Sequence, residues 1–328
     1  MKLPIQAGDP RGNTISRYPG FNAAHRTFLL EYNAFQTDTP RANRVLDNQA
    51  RVILCNCILH LHFCHLNGCG RFPTPGRLQG MMEELGLYSA RGVDLALSEL
   101  RAARFVTLIA SSQDRRVSQV APTCELIAFY RRYTRVPLAA LDRLKPGRHY
   151  VITFEQAPEL FDYMSLISGE HYTKTIAPMR RPGAFAIMQH TGGYRLLTEL
   201  LDMAYATDID APAQVPLHLC VDTISAHCHI SRSQTRLILE EALRAGLITH
   251  ERRAVYHVTA LLVETFAAHF VKILRFMEHN FDAAMNELNR RRALTLHQLG
   301  YFGPVPPGHA LPAPLWPIWC ETGGMHPH

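Results

Sequence analysis

Apolar residues recur every three or four positions through most of this chain, the spacing that lays one face of a helix against a core. The pattern predicts a helix over 21–35, with Phe28, Leu29 and Tyr32 on one face and a break at Thr37-Asp38-Thr39-Pro40. A long apolar helix follows over 44–66, stopped by Asn67-Gly68-Cys69-Gly70. A second helix over 74–85 turns Leu78, Met81, Met82 and Leu85 inward, and Gly86-Leu87-Tyr88 makes a turn. Ser89 is a good N-cap for a third helix, because its hydroxyl accepts an orphan amide hydrogen, and Val93, Ala96, Leu97 and Leu100 lie at core spacing. Residues 105–110 and 117–121 read as strands around the polar turn 111–116, and Pro122-Thr123 opens a helix to about Tyr133. The first 20 residues, rich in Gly, Pro and Asn, read as loosely ordered.

The second half repeats this order. A helix over 193–206 leads to a strand-like 215–217, a helix over 223–228 and a turn at His229-Ile230. Ser231 then caps a helix with Ile238, Leu239 and Ala242 inward and Thr235 at the edge of that face, and Gly246 ends it. Two short strands, 247–249 and 254–258, flank a turn with Glu251, Arg252 and Arg253, and Thr259 opens a helix to about Phe281. Ser89 and Ser231, Arg115 and Arg252, and Thr123 and Thr259 are offset by 142, 137 and 136 residues. Near-constant offsets argue for an internal duplication. A helix with polar side chains at its start, followed by a basic-tipped hairpin, is the pattern of a winged helix-turn-helix. The expected fold is mainly α with small β-wings: two tandem winged-helix domains, 1–146 and 147–300, in a pseudo-two-fold arrangement. The helices over 44–66, 123–133 and 259–281 are expected to join the halves. A tail over 301–328, rich in Pro, Gly and His and carrying Trp316 and Trp319, has no core of its own.

The stretch Asp114-Arg115-Arg116-Val117-Ser118-Gln119-Val120-Ala121-Pro122-Thr123 resembles the wing of MarR-type transcriptional regulators. That wing reads Asp-x-Arg, a strand, then a Leu-Thr pair opening the next helix; here Pro122 stands where Leu is usual. The second copy, from Glu251 to Thr259, is one residue shorter and has Glu for Asp. The resemblance spans roughly residues 45–281. MarR-type proteins are dimers whose two winged helices read two half-sites, so it implies two such protomers fused in one chain. It implies that Arg116 enters the minor groove with Asp114 bracing it, and that Arg253 and Glu251 take those parts in the second copy. It also implies a small-molecule effector of unknown identity, to which no position is assigned.

Composition changes this picture little. The 328 residues suit about two domains. A formal charge of +6 permits a polyanionic partner without requiring one. Duplex DNA needs cations and amides for phosphate, and forked or planar side chains for base edges. The second recognition helix offers Arg232, Gln234 and Arg236 for bases, with Ser231 and Ser233 for phosphate. The first offers Ser89, Arg91, Asp94, Ser98 and Arg101, and Asp94, which disfavours phosphate, makes it the poorer reader. The wing tips add Arg115, Arg116, Arg252 and Arg253.

Other chemistries find less support. Cys55, Cys57, His60, His62, Cys64, His65 and Cys69 crowd one segment, and such ligands can hold zinc or copper. Cys57, His60 and Cys64, however, share a helix face with Leu61, and no CxxC pair is present, so neither metal nor other cofactor is expected. There is no Gly-rich phosphate loop, Gly-x-Ser-x-Gly or His-Glu-x-x-His, and 149–155 reads as a strand entry, so no enzyme is expected. The start lacks the apolar run of a signal peptide. The apolar stretch 261–277 is interrupted by Glu264, His269, Lys272 and Arg275, so no membrane span is expected. Eight scattered cysteines suggest reduced thiols and a cytoplasmic protein. The expected function is sequence-specific binding of double-stranded DNA as a transcriptional repressor, by a monomeric pseudo-dimer or a homodimer. Two readings stay open beside it: a plasmid-type replication initiator with tandem winged helices, and a tandem winged-helix scaffold for protein partners.

Overall fold

The computed structural model describes residues 19–46, 49–68, 72–110, 118–176, 184–188, 190–252 and 254–298. The expectations for the first 18 residues, Cys69, the first hairpin tip (Asp114, Arg115, Arg116), Arg253 and the tail with Trp316 and Trp319 lie outside them. Among the described residues the fold is mainly helical, with one two-stranded and one three-stranded antiparallel sheet. No helix among the described residues is long and apolar enough to cross a membrane.

Helix α1 (Phe21–Asp38) buries Phe21, Phe28, Leu29, Tyr32 and Phe35, and ends where the sequence predicts a break. The helix expected over 44–66 is two, α2 (Pro40–Val45) and α3 (Gln49–Leu66). Pro40 gives α2 its own start, and the Arg51 guanidinium donates to the Val45 carbonyl at 2.9 Å, holding the end of α2 beside the start of α3.

Two segments then follow one plan. In the first, α4 (Pro75–Glu84) and α5 (Ala90–Ala102) precede the hairpin β1 (Val106–Ala110) and β2 (Ser118–Pro122), then α6 (Cys124–Leu144). The Pro73 carbonyl accepts from the Val120 amide at 2.8 Å, in the place of a third strand. Between the segments lie α7 (Tyr150–Gln156), α8 (Leu160–Ile176), α9 (Ala184–Met188) and α10 (Gly193–Thr207). The second segment has β3 (Leu217–His218), α11 (Val221–Cys228), α12 (Arg232–Arg244), β4 (Ile248–Arg252), β5 (Val255–Val258) and α13 (Ala260–Gln298), with strand order β3-β5-β4.

The likeness extends to single hydrogen bonds. In the turn between the paired helices, Gly86 and His229 both take positive φ, and the next amides, Leu87 and Ile230, donate to Met82 and Ser225 at 3.0 and 3.1 Å. After α5 and α12, Arg104 and Gly246 are left-handed, and Phe105 and Leu247 each donate back at 2.9 Å, to Leu100 and Ala242. Thr123 Oγ1 bonds the carbonyls of Arg104 and Phe105 at 2.7 and 3.1 Å; Thr259 Oγ1 bonds those of Gly246 and Leu247 at 2.8 and 2.9 Å. Each threonine also caps the helix it precedes, by accepting from Leu126 or Leu262. The expected duplication is thus a repeat of backbone architecture.

The halves share one continuous core. Helix α1 packs on α6 and α10, α3 on α8, and α13 on both α8 and α6. Asn33 accepts from the Thr198 hydroxyl at 3.1 Å, and His25 meets the Tyr205 hydroxyl at 3.2 Å, each joining α1 to α10. At the link near residue 146, Glu278 of α13 accepts from Tyr150 at 2.8 Å and pairs with Lys145 at 2.5 Å.

Three further expectations are corrected. Residues 149–155 do not enter a strand: both oxygens of Asp142 accept from the amides of Tyr150 and Val151, at 2.6 and 2.9 Å, and start α7, which buries Tyr150 and Phe154 one turn apart. Helix α6 continues past Tyr133 through buried Pro137 to Leu144, because Val136, Leu138, Ala140 and Leu141 are also core. Helix α13 continues past Phe281, with Ala284 and Leu288 buried and Glu287 paired to Arg290 and Arg291.

Candidate nucleic-acid interface

In the second segment, buried Thr235, Ile238, Leu239 and Ala242 fix which face of α12 meets the core. The opposite face therefore turns Ser231, Arg232, Ser233, Arg236 and Leu237 to solvent, while Gln234 is half-buried. Ser231 Oγ accepts from the Gln234 amide at 3.1 Å and lies 2.9 Å from Ser233 Oγ, so two hydroxyls sit together at the positive end of the helix dipole. Arg232 is held at 2.8 Å by Asp222 of α11. Arg236 has no ion-pair partner among the described residues.

The adjoining hairpin exposes Glu251 and Arg252. Glu251 Oε2 is 3.1 Å from His257 Nε2 on the neighbouring strand; that bond holds its carboxyl below the usual carboxylate range. Glu251 thus ties the two strands of the hairpin together, at a bulge between His250 and Arg252.

In the first segment, Val93, Ala96, Leu97 and Leu100 are buried, and Arg91, Asp94, Ser98 and Arg101 line up on the exposed side of α5. Ser89 Oγ accepts from the Gly92 amide at 3.3 Å, and Glu83 accepts from the Ala90 amide at 3.0 Å, so a carboxylate already occupies this helix start. Asp94 accepts from Gln79 at 2.8 Å. Leu95 is 61% exposed, at the place where α12 carries Leu237, 38% exposed. Both outward faces carry arginines, a serine and an exposed leucine; the first differs by Asp94 and by the Glu83 carboxylate at its helix start. These apolar tips and the partners of Arg232 and Asp94 were not legible from residue types.

The cysteine and histidine segment behaves as core. Cys55 and Cys57 are buried free thiols, and burial pushes both up, Cys57 to about 12. His60 Nδ1 lies 2.8 Å from the Leu166 carbonyl, wedged against Gly169, so it joins α3 to α8. Burial and the neighbouring His65 push His62 down to about 4. Among the described residues no group of three His, Cys, Asp or Glu side chains is placed to hold a metal. Comparison with known protein families, curated proteins and solved structures finds no match to this chain.

Proposed function

We propose that this chain is a double-stranded DNA-binding transcriptional regulator, acting as a repressor, in which two winged-helix modules of MarR type are joined in one polypeptide. The carrying observation is the recurrence of one hydrogen-bonded plan, helix, tight turn, capped helix and hairpin, with the capped helix turned outward in both copies. In this reading α12 reads base edges through Arg236 and Gln234, Ser231 and Ser233 meet phosphate, and Arg252 and Arg253 approach the adjacent groove. Arg91, Ser98, Arg101, Arg115 and Arg116 serve the first module in the same way, with less positive charge at its helix start. The modules differ, so the preferred site is asymmetric or an imperfect palindrome. The reaction is binding alone and needs no cofactor.

Selection of bound fragments from random duplex DNA tests this reading. The expected result is a pair of unequal half-sites about one helical turn apart, bound with steep salt dependence. Enrichment of nothing, or retention of affinity after joint loss of Arg236 and Arg252, overturns it.

A second reading is favoured by one observation: Leu95 on α5 and Leu108 and Ile109 on β1 are exposed apolar residues in the first segment. A module presenting these beside Asp94 suits a protein surface better than phosphate. The first module would then dock a protein partner while the second holds DNA, and the selection would return a single half-site.

A further inference from the structure

The two outward helices start in register. Ser89 and Ser231 each accept from the amide three residues on, and the buried faces then match position for position, from Val93 with Thr235 to Leu100 with Ala242. The exposed faces therefore match as well. Past the capping serine, the positions exposed in both helices carry different residues: α12 has Ser233 where α5 has Arg91, and Arg236 where α5 has Asp94. The one exception is Leu95, which falls on Leu237. A single exposed leucine asks for no explanation. One found at the same register of two helices that otherwise share no exposed side chain there does.

In the major groove the base edges present hydrogen-bond donors, acceptors and one apolar group, the C5-methyl of thymine. A leucine on a face that enters the groove has that methyl as its complement. Helical side chains lean toward the helix start, so each leucine covers the turn that carries Asp94 in α5 or Arg236 in α12. Those two residues occupy one register with opposite chemistry. Asp94 only accepts; Gln79 of α4 holds it at 2.8 Å, and the carboxylate keeps a second oxygen for a donor outside the protein. Arg236 only donates. Cytosine shows the groove a donor alone, and guanine acceptors alone. We propose that Leu95 and Leu237 each cover a thymine methyl, so that the two half-sites share a thymine, and that the base read beside it is a cytosine under Asp94 and a guanine under Arg236.

This rests on the DNA-binding reading and gives the imperfect palindrome its content: one common thymine beside one position of opposite readout. The arrangement rejects bases as well as selecting them. Against guanine, Asp94 faces the acceptors O6 and N7; against cytosine, Arg236 faces an amine that can only donate. Each mismatch leaves a charged side chain unanswered in the groove, which is a repulsive contribution to specificity. Asp94 thus weakens the hold of the first module on phosphate and sharpens its choice of base.

Duplexes enriched from random DNA by the full chain are remade with deoxyuridine in place of one thymine at a time, which removes the methyl and leaves every hydrogen-bonding edge. One thymine in each half-site should be sensitive, its replacement weakening binding by about fourfold, the worth of burying one methyl-sized group. Leu95→Ala should abolish that sensitivity in the half-site with the adjacent cytosine, and Leu237→Ala in the half-site with the guanine, while each variant still binds. Both leucines are exposed, so neither truncation opens the core. A repeat selection with Asp94→Arg should exchange the cytosine for guanine and bring the two half-sites toward one sequence. Sensitivity that survives both leucine truncations overturns the thymine contacts. A cytosine retained with Asp94→Arg overturns the part given to Asp94. A single half-site, sensitive only through Leu237, overturns the shared thymine and leaves Leu95 to a protein partner. Selection that enriches nothing overturns the DNA-binding reading itself, whereas enriched sites indifferent to the methyl overturn this inference alone.

Discussion

The hydroxyls of Ser225 and Thr235 lie 2.9 Å apart, both buried, at the corner where α11 turns into α12. Ser225 commits its proton to the Val221 carbonyl at 2.5 Å, so Thr235 is the donor between them, sharing its proton with the Ser231 carbonyl at 3.1 Å. The pair sets the angle of the outward helix from inside the core. Thr235→Val should destabilise the chain by about 1–3 kcal/mol, because it leaves the Ser225 lone pairs buried and unmet. Adding Ser225→Ala should cost less than its effect alone, since the two share one bond. Urea unfolding of the four proteins checks this; strict additivity would show that the hydroxyls are independent.

Arg232 and Arg236 look alike in the sequence and differ in their surroundings. Asp222 holds Arg232 at 2.8 Å, whereas Arg236 stands in solvent with no ion-pair partner among the described residues. Arg236→Ala should therefore weaken duplex binding by about 1–3 kcal/mol, the worth of a good base contact, and Arg232→Ala by less. Asp222→Ala should strengthen binding, because it frees a cation and removes a like charge from the phosphates. Fluorescence anisotropy at two salt concentrations reads all three, and an Asp222→Ala protein that binds more weakly would contradict this arrangement.

Much of the fold was legible because its signals are local. Ser89, Ser231, Thr123 and Thr259 cap the helices they precede, and capping depends on residues three positions away. Gly246 ends α12 in the left-handed region, as its residue type predicts. The errors arose where distant residues decide. Helix α7 exists because Asp142, on another helix, accepts from its first amides, and no pattern within 149–155 carries that. In the site, the arginines and serines of α12 were readable, whereas the pairing of Arg232 with Asp222 and of Asp94 with Gln79 depends on how adjacent helices cross.

Glu278 joins the link between the halves to α13, accepting from the Tyr150 hydroxyl at 2.8 Å and facing Lys145 at 2.5 Å. The Tyr150 hydroxyl, buried against a carboxylate, is pushed up and stays protonated. Glu278→Ala leaves a cation and a hydroxyl unanswered, and should cost about 3 kcal/mol, the low end for a broken buried pair because Lys145 keeps some contact with water. Glu278→Gln, which can still accept from Tyr150, should cost less. Equal losses in thermal unfolding would assign the whole effect to charge.

Three histidines make the chain acid-sensitive. Burial and the neighbouring His269 push His25 to about 3; burial and Lys272 push His269 to about 4; burial and His65 push His62 to about 4. All lie below the ordinary value near 6.5, so the unfolded chain takes up protons that the folded chain refuses. Their contribution to stability is complete above about pH 6.5 and is lost as pH falls toward 4, at about 1.4 kcal/mol per pH unit for each group. His25→Phe keeps the stack on Phe270, whose ring lies 4.8 Å away, and removes one of these groups. Its unfolding free energy should fall less steeply between about pH 6.5 and 4.5, by about one proton. Parallel slopes for the variant and the parent would mean that His25 titrates normally in the folded chain.

Gly192 and Ile230 couple α10 to the turn of the second module. Gly192 has a φ of +73°, and a Cβ built there collides with Ile230 Cγ2. Gly192→Ala therefore meets two costs. The left-handed backbone costs about 1–2 kcal/mol for any residue with a Cβ, and the contact forces the Ile230 side chain, and the turn carrying it, to move. Ile230→Ala in the Gly192→Ala background relieves the contact and leaves the backbone cost, whereas alone it loses only the packing of Ile230. The double variant should then be more stable than the sum of the two single losses implies. Thermal unfolding of the set measures this coupling, and a double variant no better than additive would place the cost of Gly192→Ala in the backbone alone.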